Sequence, residues 1–365
     1  MVPRPPPPPS AAWTLLLASL VSGCDARESR AGEPASVQQE AVAPRVTGTL
    51  LDRGAPDSLR LVSYNVLWNT LFAEVDPDGA RRFARLVRAL DPDVLCLQEV
   101  GLHPAERDQP EARRWTAADV VERMNVHLPV EGGWHGFQGG DNVVVCRFPL
   151  RMTRSRTVPE AQRSQAVALV DLPDDRFPAD LYVLNNHFKC SDPERYDALR
   201  QQQADAIVAW LRDARTPGGE VDLPAGTPLV VAGDLNIVGS FQPVTTLLEG
   251  DVLDEERYGP DFPPDWDASP LADLRPRHNG DPEGADWTWR NDTDRYPPGR
   301  LDFVLYSDSV LELLAGFVLD TTTWSDDDLA RAALERYDVT ADGRGEVHDH
   351  LPLVADFRVL PLDAQ

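Results

Sequence analysis

Hydrophobic positions along the chain switch between a two-residue and a 3.6-residue period. Leu59 to Val66 and Val94 to Gln98 are short apolar runs with the character of strands. Between them Ala80, Phe83, Leu86, Val87 and Leu90 recur at helical spacing behind Asp76-Pro77, an N-cap residue followed by proline at the first helical position. Arg81, Arg85 and Arg88 share another face of that helix, which reads as solvated. Asp91-Pro92 ends it. Further strand-like runs lie at 142–146, 166–170, 181–186, 228–232, 301–306 and 352–358, with helical patterns at 117–128, 193–212 and 325–336, the second opened by Asp192-Pro193. Strands in sequential groups with fewer helices predict two packed sheets with helices outside, an α+β arrangement, over a strictly alternating parallel sheet.

Upstream the pattern changes. Ala11 to Val21 is an apolar stretch behind the single basic residue Arg4, too short to span a bilayer. It closes on Leu20-Val21-Ser22-Gly23-Cys24, which resembles a bacterial lipoprotein signal in which Cys24 is lipidated and becomes the new N-terminus. An ordinary secretory leader whose cleavage site precedes a Cys is the alternative, and either sends the chain out of the cytoplasm. Residues 25–58 have no sustained apolar period and read as a tether. One folded domain, 59–362, is expected after it.

Composition narrows the choice of partner. Sixty acidic against 35 basic residues give a formal net charge of -25, so a polyanion would have to be met through a local site, not a basic surface. Beyond Cys24 the cysteines are Cys96, Cys146 and Cys190, an odd number without ligand-like spacing. Cys96 and Cys146 sit in strand-like runs and read as small buried hydrophobes.

The chemistry lies where apolar runs end in polar residues: Ser63-Tyr64-Asn65-Val66, Leu97-Gln98-Glu99-Val100, Asn185-Asn186-His187-Phe188-Lys189, Ala232-Gly233-Asp234-Leu235-Asn236, Arg300-Leu301-Asp302-Phe303 and Asp349-His350-Leu351-Pro352. A buried carboxylate, amide or imidazole is costly without a ligand. Singly, each segment is better explained as a turn. Together, in this order, they resemble the signature of the endonuclease/exonuclease/phosphatase family, which includes deoxyribonucleases, abasic-site endonucleases, neutral sphingomyelinases and inositol-phosphate 5-phosphatases. The resemblance spans residues 59–358. It implies a four-layer αββα sandwich with the active site at the loop ends between the sheets.

The resemblance also implies roles. Glu99, Asn65 and Asp349 would hold a divalent cation, and an all-oxygen donor set suits Mg²⁺ first, with Mn²⁺ or Ca²⁺ as alternatives. Asp234 matches the residue that orients or deprotonates the attacking water, and Asn236 the amide that donates to a phosphate oxygen. His350 matches the histidine that contacts phosphate or moves a proton, with Asp302 fixing its tautomer. His187 matches a general acid for the departing oxygen; Asp141 is a candidate partner for it. Arg163 resembles an arginine placed on a substrate phosphate, with a surface ion pair as the plainer reading. His348 stands where many relatives have Ser.

Three functions follow. An exported Mg²⁺-dependent nuclease or phosphodiesterase is favoured by Asn186-His187-Phe188-Lys189, which is similar to a block of secreted bacterial nucleases. A sphingomyelinase-like or inositol-phosphatase-like enzyme at a membrane is the second, and a non-catalytic surface lipoprotein the third. The Trp-rich region 249–298 is expected near the mouth of the site, where Trp266, Trp287 and Trp289 either stack a base or pin the loop to the body.

Overall fold

The computed structural model describes residues 49–191, 193–281, 284–292, 296–339 and 349–362; Cys24, the expected cap Asp192 and His348 lie outside the described residues. Twelve strands and six α-helices follow in chain order among the described residues, besides a 3-10 turn at Pro104–Glu106: β1 (Leu59–Asn65), α1 (Pro77–Leu90), β2 (Val94–Gln98), α2 (Ala117–His127), β3 (His135–Gly139), β4 (Asn142–Cys146), β5 (Leu150–Val158), β6 (Arg163–Val170), β7 (Leu181–His187), α3 (Pro193–Arg215), β8 (Leu229–Asp234), α4 (Gln242–Glu249), α5 (Glu255–Tyr258), β9 (Ala272–Asp273), β10 (Asp302–Tyr306), β11 (Leu311–Val318), α6 (Asp326–Ala332) and β12 (Leu353–Val359). They build two six-stranded sheets, ordered β11-β12-β1-β2-β4-β3 and β5-β6-β7-β8-β10-β9.

Alternation within single strands creates the layers. On β1, Val62 and Tyr64 join a core that includes Phe83, Leu86 and Val87 of α1, while Leu59 and Leu61 point into the core between the sheets. On β7, Val183 faces that same inner core and Leu184 packs with Ile207 and Leu211 of α3. Helices therefore cover both outer faces, and the expected four-layer αββα sandwich is what forms. β1 pairs parallel with β2 across α1, and β7 pairs parallel with β8 across α3; the other pairings are antiparallel. Cys96 and Cys146 are buried hydrophobes of the inner core.

Local signals act as read. Asp76 accepts the Asp78 amide N–H with Pro77 behind it, and Asp91 in the left-handed region closes α1. The Arg face of α1 is less free than expected, because Arg85 binds Asp338 with two nitrogens and Arg88 donates to the His127 carbonyl.

Three expectations are corrected. First, β3, β5, β9 and β11 were not foreseen, and these are the four sheet edges. An edge strand with exposed positions, such as β5 with Arg151, Arg154 and Ser155, needs no continuous apolar run. Second, the helix expected at 325–336 stops at Ala332, since Ala333 turns left-handed and the Leu334 amide returns to the Leu329 carbonyl. Third, residues 49–58 belong to the body, not to the tether. Leu51 is buried in the α1-side core, and Arg53 bridges Asp93 at 2.6 Å and the Ser58 carbonyl at 2.8 Å.

Candidate active site

The same alternation that builds the inner core delivers the polar side chains. Leu59 and Leu61 precede Asn65 on one face of β1, Val94 and Cys96 precede Gln98 on β2, Val183 precedes Asn185 and His187 on β7, and Val230 and Ala232 precede Asp234 on β8. Asp302 opens β10 on the face of Val304 and Tyr306. All project into the gap between the sheets, at the end where β1, β2, β7 and β8 finish. Gly233, at φ 128°, lets β8 run this close to β7, since a Cβ there would lie 2.0 Å from the Asn186 carbonyl oxygen.

Asp234 is the centre. Its Oδ2 accepts from the Asn65 amide at 3.1 Å and lies 3.7 Å from His187 Nε2 and 3.6 Å from His350 Nε2. Its Oδ1 accepts the Asn236 backbone N–H at 2.9 Å. Each imidazole is backed by a carboxylate on its other nitrogen: His350 Nδ1 is 2.7 Å from Asp302 Oδ2, and His187 Nδ1 is 2.8 Å from Asp141 Oδ2. The carboxylate partner suggested for His187 is thus Asp141. Arg163 begins β6, earlier than its expected place ahead of that strand, and donates to Asp141 Oδ2 at 2.9 Å.

Electrostatics follow from burial and these pairings. Burial raises the Asp234 carboxyl to about 6 against the opposing pull of His350, with Asp302 adding to the rise. Burial works to discharge both histidines, yet both are raised, His350 strongly, by Asp302 and Asp234, and His187 by Asp141 and Asp234. Asp141 is held down at about 2 although burial opposes it, because His187 and Arg163 both face it. Both rings are thus biased toward their charged forms beside one poised carboxylate.

Glu99 closes the other side. It sits in the left-handed region at φ 64°, as does Asn236 at φ 50°, a strain that persists only where the surroundings fix it. Its Oε2 accepts the Trp68 backbone N–H at 3.1 Å. Burial pushes its carboxyl to about 7, with Asp349 adding to the rise and His187, His350 and Asn65 opposing it. Asp349 holds one oxygen on Trp289 Nε1 at 3.2 Å while its Oδ1 is buried with no hydrogen-bond partner. A half-buried carboxylate pair with an orphaned oxygen and an amide alongside fits a hard divalent cation, whose charge would lower Glu99 again. The tightest His and Asp grouping among the described residues is different: Asp234, Asp302 and His350, with atoms within 4.8 Å of one another. It is the poorer cation site, because Asp302 and His350 are already spent on each other.

Several side chains contribute that the sequence did not single out. Gln98 donates to Asn185 at 2.7 Å, and Asn185 donates to the Leu97 and Val143 carbonyls, tying the two sheets together beneath the site. Thr288 Oγ1 accepts the backbone N–H of Leu301 and Asp302, and Leu351 donates to the Thr288 carbonyl, so one strap braces both ends of the His350 and Asp302 pair. Of the three tryptophans, Trp266 bonds the Thr227 carbonyl, Trp287 packs on the α1-side core and Trp289 is buried; these contacts pin the loop. A run of left-handed backbone, Leu67, Trp68 and Asn69 at φ 43°, 43° and 71°, follows β1, and each left-handed non-glycine residue costs roughly 1–2 kcal/mol. Asn69 fixes the turn by accepting from and donating to Gly101, at 2.8 and 3.1 Å.

An αββα sandwich bearing this set of carboxylates, amides and imidazoles at one end defines a phosphoester hydrolase. The chain belongs to the Endonuclease/Exonuclease/phosphatase family, whose model matches residues 62–326. No curated protein matches it. Among solved structures, ANGEL2, a 2',3'-cyclic phosphatase in complex with adenosine-2',3'-vanadate, is 17% identical at a TM-score of 0.52, covering 83% of this chain and 96% of its own. TDP2 of D. rerio, complexed with a single-strand DNA product, is 15% identical at 0.51, with coverages of 83% and 99%. A Bacteroides vulgatus member of the family is 12% identical at 0.50, with coverages of 83% and 99%. These likenesses are of fold.

Proposed function

We propose that this chain is an exported, Mg²⁺-dependent phosphodiesterase acting on nucleic acid or nucleotide substrates. The observation that carries the reading is the convergence of Asn65, His187 and His350 on one oxygen of Asp234. Glu99 and Asp349, with Asn65 beside them, would hold the cation, which when bound polarises a phosphate oxygen and stabilises charge on the leaving oxygen. Mn²⁺ or Ca²⁺ also suit an oxygen donor set.

This chain's own residues supply the rest. Asp234, raised to about 6, remains largely ionised at neutral pH and is a stronger base than a solvated carboxylate. It orients the attacking water and accepts its proton as the new P–O bond forms. His187, kept cationic by Asp141, gives its proton to the departing oxygen as the old P–O bond breaks. His350, kept cationic by Asp302, neutralises charge on the phosphate, and Asn236 donates its amide to a phosphate oxygen. Arg163, engaged with Asp141, adds positive potential and is the proposed second phosphate contact.

Nucleic acid is favoured over lipid by the Asn186-His187-Phe188-Lys189 block, and the known ligands of the two fold neighbours agree with it. A sphingomyelin or inositol-phosphate substrate is the second reading, favoured by the net charge of -25 and by lipid attachment. The intact set Glu99, Asp234, Asn236, Asp302, Asp349 and His350 speaks against a non-catalytic module. Export and anchoring rest on Leu20 to Cys24, with the lipid placing the protein at the cell envelope; no described helix is long and apolar enough to cross a membrane. Fatty-acid labelling of the wild type and not of Cys24→Ala tests the anchor. Hydrolysis of DNA, RNA, sphingomyelin, phosphoinositides and simple phosphodiesters, with Mg²⁺ and with EDTA, tests the activity: full turnover in EDTA, or cleavage of lipid alone, would overturn the reading.

A further inference from the structure

We propose that a cavity of about 260 Å³ beside the catalytic centre, lined by Trp68, Glu74, His103, Glu106, Arg113 and Trp115, is a subsite for a nucleobase next to the cleaved phosphate. The inference rests on the phosphodiesterase reading and names what that site recognises.

Position comes first. Trp68 lies three residues beyond Asn65, and its backbone N–H is on Glu99 Oε2 at 3.1 Å, so the cavity wall and the carboxylate cluster share a residue. The left-handed run Leu67 to Asn69, clamped by Asn69 on Gly101, fixes where Trp68 stands. Its indole is partly exposed and meets His103 in an edge contact and not a stack, with ring centroids 5.4 Å apart and planes at 72°.

The lining selects the chemistry. Trp115 is covered on both faces, by Phe72 at 3.8 Å between centroids and by the Arg113 guanidinium at 3.6 Å, so it is wall and not platform. A cation such as a quaternary ammonium wants several open aromatic faces and a free carboxylate. Here Trp115 is already covered, Arg113 forms part of the wall, and Glu74 is engaged by Arg123 at 2.9 Å and Arg113 at 3.8 Å. A neutral planar ring suits this lining. It stacks on Trp68 and meets His103 and Glu106 at its edge, while Arg113 is held against Trp115 by Asp119 at 2.9 Å. Stacking also gives affinity that does not depend on phosphate attraction, which a chain of net charge -25 supplies poorly. The volume is below the roughly 300–1,000 Å³ of pockets for drug-sized ligands and suits a single ring system.

The test compares a dinucleotide with its analogue in which abasic sugars replace the nucleosides, using the full chain with Mg²⁺. Wild type should show the lower KM for the dinucleotide. Trp68→Ala should raise that KM roughly 5- to 150-fold, the span of base–aromatic stacking, and should raise the abasic KM far less. Trp68→Phe should keep most of the preference and Trp68→Leu lose it, a contrast that separates stacking from folding even if Trp68→Ala melts early. Equal losses on both substrates, or none, overturn the subsite. If wild type cleaves neither diester, the phosphodiesterase reading falls and equilibrium binding in EDTA decides the subsite. Tighter binding of adenosine monophosphate than of ribose 5-phosphate, lost in Trp68→Leu, upholds it; equal affinities, or tighter binding of phosphocholine, overturn it.

Discussion

His350 turns its Nδ1 to Asp302 Oδ2 at 2.7 Å and can therefore present only Nε2 to Asp234. The pairing fixes the tautomer and favours the charged ring. His350→Ala and Asp234→Ala should each lower turnover by about 10²–10⁴-fold or more, the usual contribution of a proton-handling group. Asp302→Asn should lose less, since it keeps the shape. If Asp302 acts through the ring, the double variant His350→Ala with Asp302→Asn should be little worse than His350→Ala alone. Losses that multiply, in variants with matched melting curves, would rule the coupling out.

Trp289 reaches Asp349 from the other side. Its Nε1 donates to Oδ2, and the neighbouring Arg290 N–H donates to the Asp349 carbonyl, so the carboxylate is aimed with Oδ1 left over. Trp289→Phe keeps the buried ring and removes the donor. Mg²⁺ affinity measured by calorimetry should weaken about 10- to 100-fold, as for other groups that orient a metal ligand. An unchanged affinity would mean that Trp289 only packs.

The cation-free protein should lose stability as pH rises from about 5 to 8. Glu99 titrates at about 7 in the fold against an ordinary 4.5, so the native state holds an extra proton across that window. Native stability falls as it leaves, by on the order of 3 kcal/mol for Glu99 alone. His187 and His350 are both raised above 6.5; the stability they contribute is complete below that value and is lost as pH climbs through their folded values. The signs agree. Melting temperatures in EDTA should fall across this range, and added Mg²⁺ should raise them more at pH 8 than at pH 5. A flat or rising EDTA curve would contradict the clustering of charge.

Arg60 is almost wholly buried, with two nitrogens on Asp356 at 2.7 and 2.8 Å and a third on the Leu51 and Leu90 carbonyls. It fastens β1 to β12 and both to the segment 49–58. Asp356→Ala leaves a buried guanidinium without its counter-charge and should cost about 3–5 kcal/mol in denaturant unfolding. A loss under 1 kcal/mol would show that water reaches Arg60 and compensates.

The apolar runs read from the sequence match eight strands, β1, β2, β4, β6, β7, β8, β10 and β12, and these are the interior strands of the two sheets. Interior strands are covered on both faces, so burial writes itself into consecutive residues; the edges carry exposed positions and Gly136 or Arg151 in their place. Motif residues were legible for a related reason, being polar where burial is complete. Trp68 and Thr288 were not, because they act through a backbone N–H and a hydroxyl in a loop, neither of which leaves a periodic trace; Trp289 was read as stacking a base or pinning its loop, and its bond to Asp349 is set by the fold. The pairing of His187 with Asp141 spans 46 positions and only the fold closes it.

Among its pairings, β12 lies between β11 and β1, and Asp349 and His350 stand just ahead of it. The first strand of the sandwich finds its antiparallel neighbour only when the last has been made. A nascent or threaded chain therefore carries Asn65, Glu99, Asp141, His187, Asp234 and Asp302 without the histidine and carboxylate that complete them. In the proposed mechanism, hydrolytic competence arrives only with Asp349 and His350, just ahead of the domain's last strand.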